Sequence, residues 1–97
     1  MDTLYSFHRE ELVDAITFIQ TTYDKLTQDQ QDVNTQVTNS TAIWTGQDKV
    51  AADDHRQQWN QHLQPIIDHL MPTKHALERI LSAYDVQEQT TARMFAT

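Results

Sequence analysis

The sequence predicts an all-α fold, an antiparallel helical hairpin, on the strength of two observations. The first is that the chain of 97 residues contains one glycine, Gly46, close to its midpoint. The second is that apolar residues recur every three or four positions on both sides of this glycine, as they do on one face of a helix. We expect one domain, residues 1–97, made of a helix over about 6–39, a turn over about 40–46, a helix over about 47–88 and a flexible tail over about 89–97.

The first helix is predicted from a heptad stripe that no proline or glycine interrupts. Its apolar residues alternate spacings of four and three, and Gln30 is the one seam position that is not apolar. Asn39, Ser40 and Thr41 are poor residues for a helix interior, so we expect the chain to turn there. The stripe consists of Leu12, Ile16, Ile19, Tyr23, Leu26, Val33 and Val37.

The turn is predicted at Gly46, because glycine reaches backbone angles that close a turn without a Cβ clash. Thr45 offers a hydroxyl to cap the second helix, and Asp48 follows three residues later, at the partner position of a capping box. Trp44 then lies at the tip of the hairpin. One interpretation is that it plugs the end of the helix pair, and the other is that it forms a recognition surface.

The second helix carries a similar stripe but contains two prolines, Pro65 and Pro72. Each removes a backbone hydrogen bond, at a cost of about 3 kcal/mol or more in a helix interior. Neither follows a good N-cap residue, so a kinked helix is favoured, and a break near Met71 is the alternative. The predicted seam consists of Trp59, Leu63, Ile66, Leu70, Leu77 and Ile80, with Ala52, Arg56, Thr73 and Tyr84 at further seam positions and Ile67 and Leu81 on its flank.

Two paired stripes leave their edges in contact with water. Phe18, Ile67 and Leu81 are expected to lie open on so thin an object. Below about 100 residues a single core is marginal even in a compact fold. We therefore expect the hairpin to dimerise into a four-helix bundle, on grounds of buried area alone.

Composition excludes several classes of function. The formal net charge of −7 argues against a nucleic acid or an anionic membrane surface as partner. No apolar run approaches the roughly 20 residues of a membrane span, so no stable membrane insertion is expected. The chain starts with Met1-Asp2-Thr3 and has no basic region followed by an apolar stretch, so we do not expect a cleaved signal peptide. Adjacent acids such as Asp53 and Asp54 diverge on a helix, and there is no glycine-rich phosphate loop, so we predict neither an enzyme nor a cofactor.

Three histidines, His55, His62 and His69, recur every seven residues on the second helix. Neighbouring rings would be roughly 10 Å apart along the axis, too far to share an ion, so no metal site is expected. A further hypothesis places this stripe at the dimer seam, where protonation in acid would weaken the dimer.

A second motif accompanies the tip. Tyr84 and Glu88 are four residues apart, so they lie on one face of the second helix. A chain of just under 100 residues with two helices, Trp-x-Gly at the hairpin tip and Tyr-x-x-x-Glu near the end resembles the WXG100 (ESAT-6-like) family of type VII secretion substrates. The resemblance covers the whole chain in layout, and Trp44, Gly46, Tyr84 and Glu88 carry it as motif.

The resemblance implies a hairpin that dimerises antiparallel and leaves the cytoplasm without a cleaved signal peptide, through a membrane ATPase. It implies a partner that is either a second copy of this chain or a sister WXG100 protein, and the homodimer is favoured because both motifs stand on this chain. It also implies a two-part export signal, with apolar tail residues that are offered to the ATPase. The residues concerned are Trp44 and Gly46, Tyr84 and Glu88, and Met94 and Phe95 in the tail.

Helix geometry bears on this interpretation. Gly46 and Tyr84 are 38 residues apart, roughly 57 Å along a helix, so one hairpin does not bring its two motifs together. An antiparallel partner places its tail beside this chain's tip. Two alternatives stay open: a carrier for a larger toxin with a helical targeting domain, and an intracellular helical adaptor or structural coiled-coil module.

Overall fold

The computed structural model describes residues 3–95 and consists of two long helices. Helix α1 spans Thr3–Ser40 and helix α2 spans Gln47–Phe95. They pack side by side and antiparallel. Tyr5 contacts Tyr84 at one end of the pair, and Asn34 forms a hydrogen bond with Asn60 towards the other end. The resulting rod measures 79 × 16 × 14 Å. The predicted all-α helical hairpin is confirmed.

Thr41 and Gly46 form the two ends of the turn. The backbone N–H and the hydroxyl of Thr41 both donate to the Val37 carbonyl, at 2.9 and 2.7 Å, and its side chain is buried where α1 ends. Gly46 has a φ of 70°, and its carbonyl accepts a hydrogen bond from the Val50 N–H at 3.3 Å. Gly46 is therefore the residue that caps α2, which corrects the predicted cap at Thr45. Thr45 lies one residue too early for its hydroxyl to reach the first turn.

Helix α2 extends to Phe95, whereas the sequence predicts that it ends at about Glu88. The predicted boundary is the point where apolar periodicity stops, but periodicity reports which residues are buried and not which residues are helical. Gln89, Ala92, Arg93 and Met94 in this segment are good helix formers, and the segment contains no proline or glycine. Residues 89–95 of the expected tail are thus a helical extension whose side chains are all exposed, and residues 96–97 lie outside the described residues.

Helix α2 continues through both prolines, so the alternative of a break near Met71 is wrong. Pro65 and Pro72 lie on its exposed side. Gln61 and Asp68, whose carbonyls lose a helical hydrogen bond to these prolines, are exposed as well. Water can therefore satisfy both carbonyls, which is why the helix tolerates the two prolines.

The contact between the helices corrects the predicted register of α2. Ile67 and Leu81, predicted on the flank of the seam, are buried and half-buried, and Ile67 is only 5% exposed. Ile66 and Ile80, predicted in the seam, are 54% and 53% exposed. Adjacent helical residues point about 100° apart, so each Ile-Ile or Ile-Leu pair offers two apolar candidates for one seam position. The structure uses the second member of each pair against α1.

The other apolar residues of the predicted seam are half-buried, and Thr73, at a further predicted seam position, is exposed. Within residues 3–95, Ile67 is the only apolar side chain that is buried. The half-buried members of the predicted seam are Leu12, Ile16, Ile19, Tyr23, Leu26, Val33, Val37, Trp59, Leu63, Leu70 and Leu77.

Amide side chains form a polar layer between the two helices, in the half of the hairpin that is nearer the tip. Asn60 Nδ2 donates to Asn34 Oδ1 at 2.9 Å, and Gln30 Nε2 donates to Gln64 Oε1 at 3.1 Å. Gln30 Nε2 also reaches Asn60 Oδ1 at 3.4 Å. Polar pairs of this kind, here partly buried, are satisfied in one alignment of the two helices only, so the layer favours the observed register of the hairpin.

Candidate functional site

The tip of the hairpin holds Trp44 above an open groove between the helices. The Trp44 backbone N–H donates to the Thr41 carbonyl at 3.0 Å, which places its ring at the end of α1. The groove has a volume of about 400 Å³. We call it the tip groove, and its walls include Val33, Val37, Trp44, Ala52, His55 and Trp59. Trp44 therefore does not seal the end of the helix pair, because its ring forms one side of a groove that is open to solvent.

An exposed apolar face continues from the tip groove along the hairpin. Ile66 and Ile80 follow Trp59 in the same heptad row of α2. On α1, Phe18 is 71% exposed and lies 18 residues before Gln36, which also lines the groove. Eighteen residues make about five helical turns, so Phe18 lies on the groove side of α1, although in the heptad register it is rotated by about 50° further from α2 than Gln36. We call Phe18, Ile66 and Ile80 the outer face.

The opposite end of the hairpin holds the tail residues. The ring of Tyr84 stacks on the ring of Tyr5, with centroids 4.9 Å apart and planes inclined by 22°. Glu88 follows one turn later and is half-buried. Met94 and Phe95 are exposed near the end of α2.

Polar contacts reinforce this aromatic stack. The Tyr5 hydroxyl donates a hydrogen bond to Oδ1 of Asp85, and Arg9 Nε donates to the same oxygen at 3.2 Å. The hydrogen bond to Asp85 raises the pKa of Tyr5, because the ionised phenolate would lose this bond and face a carboxylate. We call Tyr5, Arg9, Tyr84 and Asp85 the clasp.

Three members of the clasp, Tyr5, Arg9 and Asp85, are missed by the sequence analysis. A signal for two of them was present. Tyr5 stands one heptad before Leu12 and Arg9 one heptad before Ile16, so both extend the stripe of α1 towards the start of the chain. Asp85 carries no such signal, because one carboxylate beside a seam residue is ordinary on a helix surface.

A single chain keeps the tip and the tail residues apart. Helix α2 is unbroken between them, and the 38 residues from Gly46 to Tyr84 span roughly 57 Å. The structure therefore brings Trp44 together with the groove and Tyr84 together with the clasp, but it does not join these two sites within one chain.

The histidine stripe is exposed throughout, and His55 lines the tip groove. Within residues 3–95, no three His, Asp or Glu side chains converge in a way that could hold a metal ion. Neither α1 nor α2, as described, is long and apolar enough to cross a membrane.

The chain matches the family described as "WXG100: Proteins of 100 residues with WXG" over residues 5–89. The matched region includes both the Trp-x-Gly tip and the pair Tyr84 and Glu88, and it ends before Met94 and Phe95. No curated protein and no solved structure matches the chain.

Proposed function

Because the chain belongs to the WXG100 family, we propose that it is a small helical protein exported by a type VII secretion system, as a substrate or as a co-secretion partner. The observation that carries this proposal is the family match, which spans most of the hairpin. In this proposal the protein leaves the cytoplasm folded and without a cleaved signal peptide. It performs no catalysis, and it acts through the surfaces at the two ends of the hairpin.

The export signal has two halves, which lie at opposite ends of the rod. Trp44 and Gly46 at the tip form one half, and Tyr84 and Glu88 form the other. Met94 and Phe95 follow on the exposed extension of α2, where their side chains are open to contact by the membrane ATPase. The roughly 57 Å between Gly46 and Tyr84 supports a signal that is complete only when two chains combine.

A second copy of the chain is the partner that we propose. The hairpin exposes 7428 Å², whereas a compact monomer of its 11.3 kDa mass exposes about 5,700 Å². The hairpin's excess surface area over that of a compact monomer is large enough for a stable interface. Standard interfaces bury about 800 Å² per partner, and obligate interfaces bury more. The outer face supplies apolar side chains for that contact. An antiparallel arrangement on this face produces a four-helix bundle and sets each tail beside the other chain's tip.

The direct test of export is an immunoblot of culture supernatants from strains with and without the secretion ATPase. The protein should appear in the first supernatant and stay in the cell pellet of the second, with a cytoplasmic protein as the control for lysis. Equal amounts in both supernatants would contradict the proposal. Retention in both pellets would favour an intracellular adaptor, and export only alongside a larger helical-domain toxin would favour a carrier.

A further inference from the structure

The clasp lies where α2 leaves the start of α1. We propose that Tyr5 and Arg9 are positioning residues, which act through Tyr84 and Asp85 to fix the direction of the exposed end of α2. The export part of this inference rests on the proposed function, and its structural part does not.

The clasp fixes the rotation of α2 as well as its distance from α1. Tyr84 and Asp85 are adjacent residues, so their side chains leave the helix about 100° apart. One is held by stacking on the Tyr5 ring, and the other accepts bonds from the Tyr5 hydroxyl and Arg9 Nε. Two contacts in different directions prevent the helix from rolling about its own axis, which one contact alone would permit.

The extension that follows depends on this anchor. From Gln89 to Phe95 every side chain is exposed, so no packing between the two helices holds this segment. Isolated helices shorter than about 12–15 residues are marginal in water, and these seven residues fall below that length. The segment therefore stays helical because it continues from turns that the clasp already orders.

The position of Met94 and Phe95 follows from the same anchor. Met94 lies ten residues beyond Tyr84, roughly 15 Å along the axis. A small rotation or tilt at the clasp is multiplied over that length, so it moves both apolar side chains relative to the rest of the hairpin. Tyr5 and Arg9 consequently belong to the machinery that presents the tail, although they lie more than 75 residues away in sequence.

Hydrogen–deuterium exchange of the full chain tests the structural part. Tyr5→Ala and Asp85→Ala should each speed exchange over residues 84–95, by about fivefold for the loss of one stack or one charge-assisted bond. Exchange over residues 12–37 should stay unchanged. Asp54→Ala is the matched control, because it removes an exposed carboxylate from the same helix outside the clasp. Unchanged exchange over residues 84–95 in both clasp variants would overturn the proposal.

Graded variants separate positioning from a general loss of stability. Tyr5→Phe keeps the stack and loses the hydroxyl, so its exchange should fall between those of wild type and Tyr5→Ala. Arg9→Asp and Asp85→Arg should each speed exchange, and the double variant, which restores an opposite pair, should slow it again. A double variant that exchanges as fast as the worse single variant would contradict a specific Arg9–Asp85 contact.

Export of the same variants tests the functional part. Tyr5→Ala should be exported less than wild type although it stays folded and dimeric at the growth temperature, and the double charge swap should recover export. Faster exchange with normal export would overturn a role for the clasp in the signal. Wild-type protein that is never exported would instead refute the proposed function, and the exchange experiment would still decide whether the clasp orders the tail.

Discussion

Gly46 turns the chain into α2 with a backbone conformation that other residues rarely adopt. Its φ is 70°, and a Cβ added at this position would meet no atom within 4 Å. The requirement for glycine is therefore a requirement of the backbone and not of packing. Sequence reasoning identified this residue because it stands alone between two helical stripes.

Substitutions at Gly46 should follow backbone preference. Gly46→Ala should destabilise the fold by about 1–2 kcal/mol, the cost of the left-handed conformation for an L-residue. Gly46→Asn should cost less, because Asn is enriched in this region, and Gly46→Val should cost most, because it is β-branched. Urea unfolding followed by circular dichroism measures the free energy of unfolding of each variant and so ranks them. Equal stability of the Ala variant and wild type would contradict a backbone requirement for glycine.

Tyr5 should report the clasp through its ionisation. The hydrogen bond to Asp85 raises its pKa, so its neutral form is favoured in the folded chain. Its contribution to stability is thus complete below the ordinary tyrosine pKa and is lost as pH rises through the higher, folded value. In an absorbance titration near 295 nm, one of the three tyrosines should ionise later than in the unfolded chain. Asp85→Asn should lower that pKa, and no change between the two proteins would contradict the contact.

The two helices differ in how well their heptad pattern predicts which side chains lie between them. On α1 every apolar residue of the predicted stripe is half-buried, and in the adjacent pair Phe18–Ile19 the half-buried member is the predicted one, Ile19. On α2, Ile66–Ile67 and Ile80–Leu81 place two apolar residues side by side, and the pattern does not decide which of each pair faces α1. The choice is made by the neighbouring helix, so it required the structure. The end of α2 was misplaced for a related reason, because an exposed helix leaves no apolar periodicity.

The exposed extension of α2 should be dispensable for folding and required for export. A chain that ends at Gln89 keeps the seam, the clasp and the outer face, so its melting temperature and dimeric mass should match those of wild type. Its export should fail, because Met94 and Phe95 are gone. Normal secretion of the shortened chain would remove the extension from the signal, and a large drop in melting temperature would show that these residues pack against the bundle.

The whole molecule is a rod with apolar side chains on one exposed side. Phe18, Ile66 and Ile80 line that side and continue into the tip groove. The polar layer of Asn34 and Asn60 aligns the helices within a chain, whereas the outer face forms the contact between chains in the dimer that we propose. This division explains why Ile66 and Ile80 fit a heptad row and yet lie open in the single hairpin.

A charge on the outer face should dissociate the dimer without unfolding the hairpin. Ile66→Asp places a carboxylate in the proposed interface, where burial without a partner is unfavourable. Gln57→Asp is the matched control, because it adds the same charge nine residues earlier, two and a half turns away and on the opposite side of α2. Sedimentation analysis should show weaker association for Ile66→Asp alone. Equal masses for both variants and wild type would place the interface elsewhere.

The claim that one export signal is assembled from two chains is tested most directly by mixing defective chains. Trp44→Ala spoils the tip, and Glu88→Ala spoils the tail without touching the clasp. Each variant expressed alone should stay in the cell. In an antiparallel mixed dimer, however, the intact tip of the Glu88→Ala chain faces the intact tail of the Trp44→Ala chain.

Co-expression of these two differently tagged chains should therefore restore export of both. Co-expression of Trp44→Ala with the double variant Trp44→Ala/Glu88→Ala leaves no intact combination and should not restore it. Co-purification from the cells establishes that mixed dimers form in each case. The contradicting result is that the first pair forms mixed dimers that stay in the cell, as those of the second pair do. The export signal would then not be shared between two chains.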